Sequence, residues 1–94
     1  MLNAYLCDNR VGGLAREIAC KSGLRLSVQA SSSHYCSPRN DVGPFSEVEV
    51  GFPNRVVQEL LPFAEDAEEP TRTVYAWVPV DLVERVIADN GGIA

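Results

Sequence analysis

Apolar and polar residues alternate most regularly over Glu47-Val48-Glu49-Val50-Gly51-Phe52, the pattern of a strand with one buried face. The same alternation marks three other segments. Leu2, Ala4 and Leu6 alternate with Asn3, Tyr5 and Cys7 and predict a first strand over 1–7. Leu24, Leu26, Val28 and Ala30 alternate with Arg25, Ser27 and Gln29, a strand that can run on through Ser31-Ser32-Ser33 to Tyr35. Val74, Ala76 and Val78 alternate with Thr73, Tyr75 and Trp77, a strand over 71–78.

Helical spacing appears between these strands. Asp8-Asn9 is a turn that can cap a helix running to about Ser22, with Leu14, Ala15, Ile18 and Ala19 on one stripe. Gly12-Gly13 weakens its first turn and Gly23 stops it. Residues 37–44 are dense in turn formers and read as a loop. Pro53-Asn54 ends the third strand, and Asn54 caps a short helix bearing Val56, Val57, Leu60 and Leu61, which Pro62 breaks. Asp81 and Glu84 have capping-box spacing for a last helix with Leu82, Val83, Val86 and Ile87 buried, ended by Asn90-Gly91-Gly92. Residues 48–62 and 74–88 share a strand–Pro–helix layout at an offset of 26, with Val48/Val74, Pro53/Pro79 and Val57/Val83 identical. The predicted order is β-α-β-β-α-β-α. That is an α+β, ferredoxin-like β-α-β-β-α-β fold with an extra C-terminal helix, its antiparallel sheet covered by helices on one face.

Length and composition agree with one domain over 1–94, with 46% hydrophobic and 22% charged residues. No apolar run approaches the roughly 20 residues of a membrane-spanning helix. The first seven residues lack the basic and long apolar regions of a secretory signal, so a cytoplasmic location is expected. Charge changes the picture more. The formal net charge is −5, but residues 1–40 carry five bases against two acids (+3) and residues 41–94 carry three bases against eleven acids (−8). Direct nucleic-acid binding by the whole domain is disfavoured, because such affinity rests on Lys and Arg neutralising phosphates. An acidic half suits a basic protein surface, or serves only as a solvated face.

Candidate chemistry is sparse. Cys7, Cys20 and Cys36 are odd in number and form no C-x-x-C pair, which predicts free thiols in a reducing compartment and no metal site. The spacing of His34 and Cys36 is not that of a zinc finger. It does place a thiol and an imidazole on one face of a strand, with no third group to orient them as a catalytic pair. Gly12-Gly13 with Arg10 and Arg16 could seat an anion on a helix N-terminus, or simply turn the chain. The acidic run 65–69 lacks the alternating ligand spacing of a calcium loop. No phosphate loop, dinucleotide fingerprint or H-E-x-x-H motif is present, so no enzyme activity and no cofactor are expected.

The residues expected to contact a partner are therefore acidic and aromatic: Glu65, Asp66, Glu68 and Glu69 in the loop, Glu47 and Glu49 on the open sheet face, and Tyr75 with Trp77 beside them. Trp and Tyr are enriched among interface anchors, although the last helix could instead fold over this pair. The carboxylates of Glu47 and Glu49 argue against the RNA-binding use of such a face.

The segments most characteristic of the chain are His34-Tyr35-Cys36-Ser37-Pro38-Arg39, Val48-Glu49-Val50-Gly51-Phe52-Pro53 and Val74-Tyr75-Ala76-Trp77-Val78-Pro79. In size, acidity, single-domain character and lack of a catalytic constellation the chain resembles the anti-CRISPR proteins of phages and prophages. The resemblance covers the whole chain in general character and carries over no residue roles. It implies a stoichiometric, non-enzymatic inhibitor in the host cytoplasm that covers the basic surface of a CRISPR effector complex. The competing expectations are a small-molecule-binding regulatory module of ferredoxin-like fold and a subunit of a larger assembly.

Overall fold

The computed structural model describes all 94 residues. Its elements are α1 (Leu2–Asp8), β1 (Arg10–Val11), β2 (Leu14–Ala15), β3 (Ile18–Ala19), β4 (Arg25–Gln29), β5 (Glu47–Gly51), a 3-10 helix (Gln58–Phe63), β6 (Val74–Pro79) and α2 (Val80–Asp89). The fold is α+β with helices at both ends of the chain. β3-β4-β5-β6 form a four-stranded antiparallel meander, and β1-β2 form a separate hairpin. Every strand pairs with its neighbour in sequence, so there is no β-α-β crossover and the ferredoxin-like strand order is not the one adopted.

The departure begins at the N-terminus. Residues 2–8 form a helix, not a strand, with Leu2 and Leu6 fully buried one turn apart and Ala4 exposed. A short apolar run satisfies both periods, and tertiary packing chooses between them because so short a helix has little stability of its own. Asn3 helps to hold α1 down. Its Nδ2 donates to Phe45 O at 3.0 Å and its Oδ1 accepts from Phe45 N at 2.6 Å, the two-way bonding of a strand neighbour.

The helix expected over 9–22 does not form. Gly12 and Gly13 take φ of +59° and +84°, the positive pair that a tight two-residue hairpin turn requires. They turn β1 back on β2, with Arg10 opposite Ala15 and Val11 opposite Leu14. No helix N-terminus exists there to seat an anion. β2 and β3 then act as one interrupted edge strand. Ile18 faces Leu26 and Ala19 faces Arg25, a register that would next place Ala15 opposite Gln29. At that position the Gln29 side chain replaces the main chain: Oε1 accepts from Ala15 N at 2.8 Å and Nε2 donates to Ala15 O at 2.9 Å. The Tyr5 hydroxyl donates across the break to the carbonyls of Arg16 and Glu17.

β4, β5 and β6 lie where the alternation placed them. Leu26, Val28, Val48, Val50 and Val78 point inward and pack with Leu2 and Leu6 of α1 and Val83, Val86 and Ile87 of α2 in one core of 21 residues. Burying each large apolar side chain contributes roughly 1.5–3 kcal/mol. Around this core the caps differ from those expected. Glu84 does not return to the start of α2 but accepts from Leu2 N at 2.9 Å, tying the two helices together. Asn54 starts no helix: its Oδ1 accepts from Arg25 N and its Nδ2 donates to Gly23 O, drawing the chain across the end of β4. The turn that follows is 3-10 and contains Pro62, so the two strand–Pro units differ, and only the second leads straight into an α-helix.

Candidate functional site

The outer face of the meander carries the expected acidic and aromatic residues, but a β-bulge redistributes them. Val48 pairs with Val78 and Val50 with Tyr75, so three steps on β6 match two on β5. The extra residue lies at Ala76-Trp77, where Trp77 adopts φ +49°. Alternation is thereby reset, and Tyr75 and Val78 both point inward. Tyr75, expected beside Trp77 on the open face, has 0% exposure, and its hydroxyl donates to Pro70 O at 2.5 Å. It is a core residue that anchors the acidic loop.

Trp77 remains at the surface, 46% exposed, and gains a different aromatic neighbour. Tyr35 lies with its ring centroid 5.1 Å away, at an interplanar angle of 38°. Trp77 N donates to Tyr35 O at 3.1 Å, and Tyr35 N donates to Glu49 Oε1 at 3.1 Å. The Arg39 guanidinium stands 5.6 Å from the Tyr35 ring centroid, within the range of a cation–π contact. Glu47 is half-buried and bridges to Ser37 through the backbone. Tyr35, Trp77, Glu47 and Glu49 thus belong to one patch. Tyr35 was missed as a site residue because only the loop path, not the sequence pattern, brings it over β6.

The loop Glu65–Glu69 lies beside the start of β6. Ala64 bridges to Tyr75, Glu65 N donates to Val74 O and Asp66 N to Thr73 Oγ1. Asp66 Oδ1 accepts from Glu68 N at 3.1 Å, which fixes the turn. All four of its carboxylates are exposed, and none is ion-paired. No group of three His, Cys, Asp or Glu side chains that could hold a metal ion is gathered anywhere.

His34 and Cys36 do not pair. His34 Nδ1 lies 2.6 Å from Ser31 Oγ, while the buried Cys36 thiol donates to Ser31 O at 3.2 Å. Cys7 is exposed on α1, and Cys20 is buried. Nearby, two hydrogen bonds from Ser32 and the field of Arg10 hold the Asp41 carboxyl below its ordinary range.

Burial raises three other groups: the Tyr75 hydroxyl, the Tyr5 hydroxyl against the opposing field of Arg16, and the Cys20 thiol against that of Arg55. Each is therefore held neutral by the fold. A raised folded-state value stabilises fully below the unfolded value and is lost as pH rises through the folded one. Stability is expected to hold up to the ordinary thiol and phenol range, about pH 8.5 to 10, and to fall above it. In a Tyr35→Phe variant, which leaves only Tyr5 and Tyr75, tyrosinate absorbance in an alkaline titration should lag behind that of the free amino acid and appear together with loss of the near-ultraviolet circular dichroism. Tyrosinate that ionises at the free-tyrosine pH, with the fold intact, would contradict the burial of Tyr5 and Tyr75.

The chain matches no protein-family model, no curated protein and no solved structure.

Proposed function

We propose that this protein acts by binding, without chemistry of its own, to a basic surface of a protein or ribonucleoprotein partner. The observation that carries this is Trp77. A large aromatic side chain is displayed to water on backbone held in the left-handed region, at a cost of about 1–3 kcal/mol. The bulge at that position buries Tyr75 and Val78, but the Trp77 ring itself is left half in water with Tyr35 as its aromatic neighbour. Two exposed rings in contact supply an anchor that a partner can desolvate. Glu47, Glu49 and the unpaired carboxylates of Glu65, Asp66, Glu68 and Glu69 supply the attraction that steers a basic surface toward it. The same carboxylates repel phosphate, which makes a direct nucleic-acid contact at this surface unfavourable. A stoichiometric inhibitor of a CRISPR effector is the specific form we favour, on the likeness in size, acidity and compactness. A CRISPR effector complex is accordingly the first partner to assay.

The test changes Glu65, Asp66, Glu68 and Glu69 together to their amides, which nearly preserves size. Melting temperature should stay or rise, because mutual repulsion is relieved. Partner binding should weaken by about tenfold or more, about 1.4 kcal/mol. In the unaltered protein, binding should weaken as the screening length falls from about 10 Å at 0.1 M salt to about 3 Å at 1 M. Unchanged affinity with unchanged salt dependence would show the loop to be a solubilising surface only.

A further inference from the structure

A cleft of about 410 Å³ opens between α1 and the loop before β5, on residues the partner surface does not use. Ala4 and Cys7 line it from the helix, Arg10 from β1, and Val42, Pro44 and Phe45 from the loop. Its volume lies within the range of small-molecule sites, about 300–1,000 Å³. Half of the lining is apolar. Arg10 is the one basic side chain in it, and it is fastened in place: Nη2 donates to Ala30 O at 2.6 Å and Nη1 to Asp41 O at 3.0 Å.

Those partners are neutral carbonyls. No carboxylate lies within ion-pairing distance of Arg10, since the single ion pair of the molecule joins the Met1 amino group to Glu84. Arg10 Nε is the only buried side-chain nitrogen or oxygen without a hydrogen-bond partner. The carboxylate nearest at hand, Asp41, is engaged by Ser32, with Oδ1 accepting from both its N–H and its hydroxyl. Arg10 therefore has no carboxylate bonded to it directly, and the Asp41 carboxylate, engaged by Ser32, balances its charge only through the field between them. A guanidinium has five donors and only two bonds are made here, so N–H groups remain to offer an anion.

We propose that this cleft binds a small organic carboxylate, with its oxygens on the unused donors of Arg10 and its apolar body against Val42, Pro44 and Phe45. The planar fork of arginine matches the two oxygens of a carboxylate. Phosphate fits less well, because its greater negative charge meets one cation only and the Asp41 carboxylate shares the lining. Cys7 reports on occupancy: it is the only exposed cysteine, and it lines the cleft.

The probes are benzoate, hydrocinnamate and hexanoate at millimolar concentration, with hydrocinnamyl alcohol and inorganic phosphate as controls. At least one of the carboxylates should slow alkylation of Cys7 by iodoacetamide severalfold and shift the Arg10 Nε–H resonance in the NMR spectrum. The alcohol and phosphate should do neither. Arg10→Lys keeps the charge but loses the fork and should weaken the effect about tenfold, about 1.4 kcal/mol. Because Arg10 also holds two carbonyls, a second variant leaves it intact. Ala4→Trp fills the cleft from an exposed helical position and should abolish both signals without changing the melting temperature. Absence of protection by all three carboxylates, equal protection by the alcohol, or protection that survives Ala4→Trp would each overturn the proposal.

Discussion

Leu6→Ala is expected to lower the stability of this protein by about 2–5 kcal/mol, the cost of a fully buried leucine plus the cavity it leaves. Against a total of about 5–15 kcal/mol for a small domain, that is a large fraction. Urea denaturation monitored by circular dichroism measures it directly. The informative partner is Ala4→Glu. If residues 1–7 were a strand, Ala4 would share the buried face of Leu2 and Leu6, and a carboxylate there would disrupt the core. In α1 the 3.6-residue period places Leu2 and Leu6 inward and Ala4 in water, so Ala4→Glu should change stability by less than about 0.5 kcal/mol. A collapse of the fold in Ala4→Glu would return the segment to the sheet.

The second large effect separates two residues that simple alternation puts side by side. Tyr75→Ala should cost about 3–5 kcal/mol, as for other buried aromatic truncations. Tyr75→Phe should cost about 0.5–1.5 kcal/mol through the lost hydrogen bond to Pro70 O. Trp77→Ala should leave the fold standing and act on the partner instead, weakening binding by about 2 kcal/mol or more if Trp77 is the anchor. Trp77→Gly adds a check on the bulge. Glycine takes positive φ freely, so it should be more stable than Trp77→Ala by about 0.5–1 kcal/mol, reversing the usual order of these residues in a strand. Alanine and glycine variants ranking the ordinary way would mean that position 77 does not hold the left-handed conformation.

The segments that were legible in the sequence share one property. In β4 and β5 each residue's environment follows from its own parity, because the sheet face below them is buried along its length. Leu26, Val28, Val48 and Val50 were readable as core on that basis, and α2 through its apolar stripe of Val83, Val86 and Ile87. The acidic loop was equally readable, since four carboxylates within five residues followed by Pro70 have no low-energy place but the surface. Gly12-Gly13 carried the hairpin signal outright. It was outweighed by the spacing of Leu14 and Ile18, of which Leu14 is in fact 55% exposed.

The sequence by itself determined the α+β class, the three long strands, the last helix and a surface divided by charge, because local period and formal charge are properties of the chain alone. Tertiary structure decided the rest. Residues 2–8 became a helix because Phe45 and Glu84, distant in sequence, offer Asn3 and the Leu2 N–H their hydrogen-bond partners. The meander replaced the crossover topology because residues 10–19 fold as a hairpin and the edge strand β3, which pairs directly with β4, where a crossover needs a helix. The bulge at Ala76-Trp77 inverted the parity of β6, burying Tyr75 and leaving Trp77 to meet Tyr35. One inserted residue moves every following side chain to the opposite face, and no local pattern records where a strand will insert it.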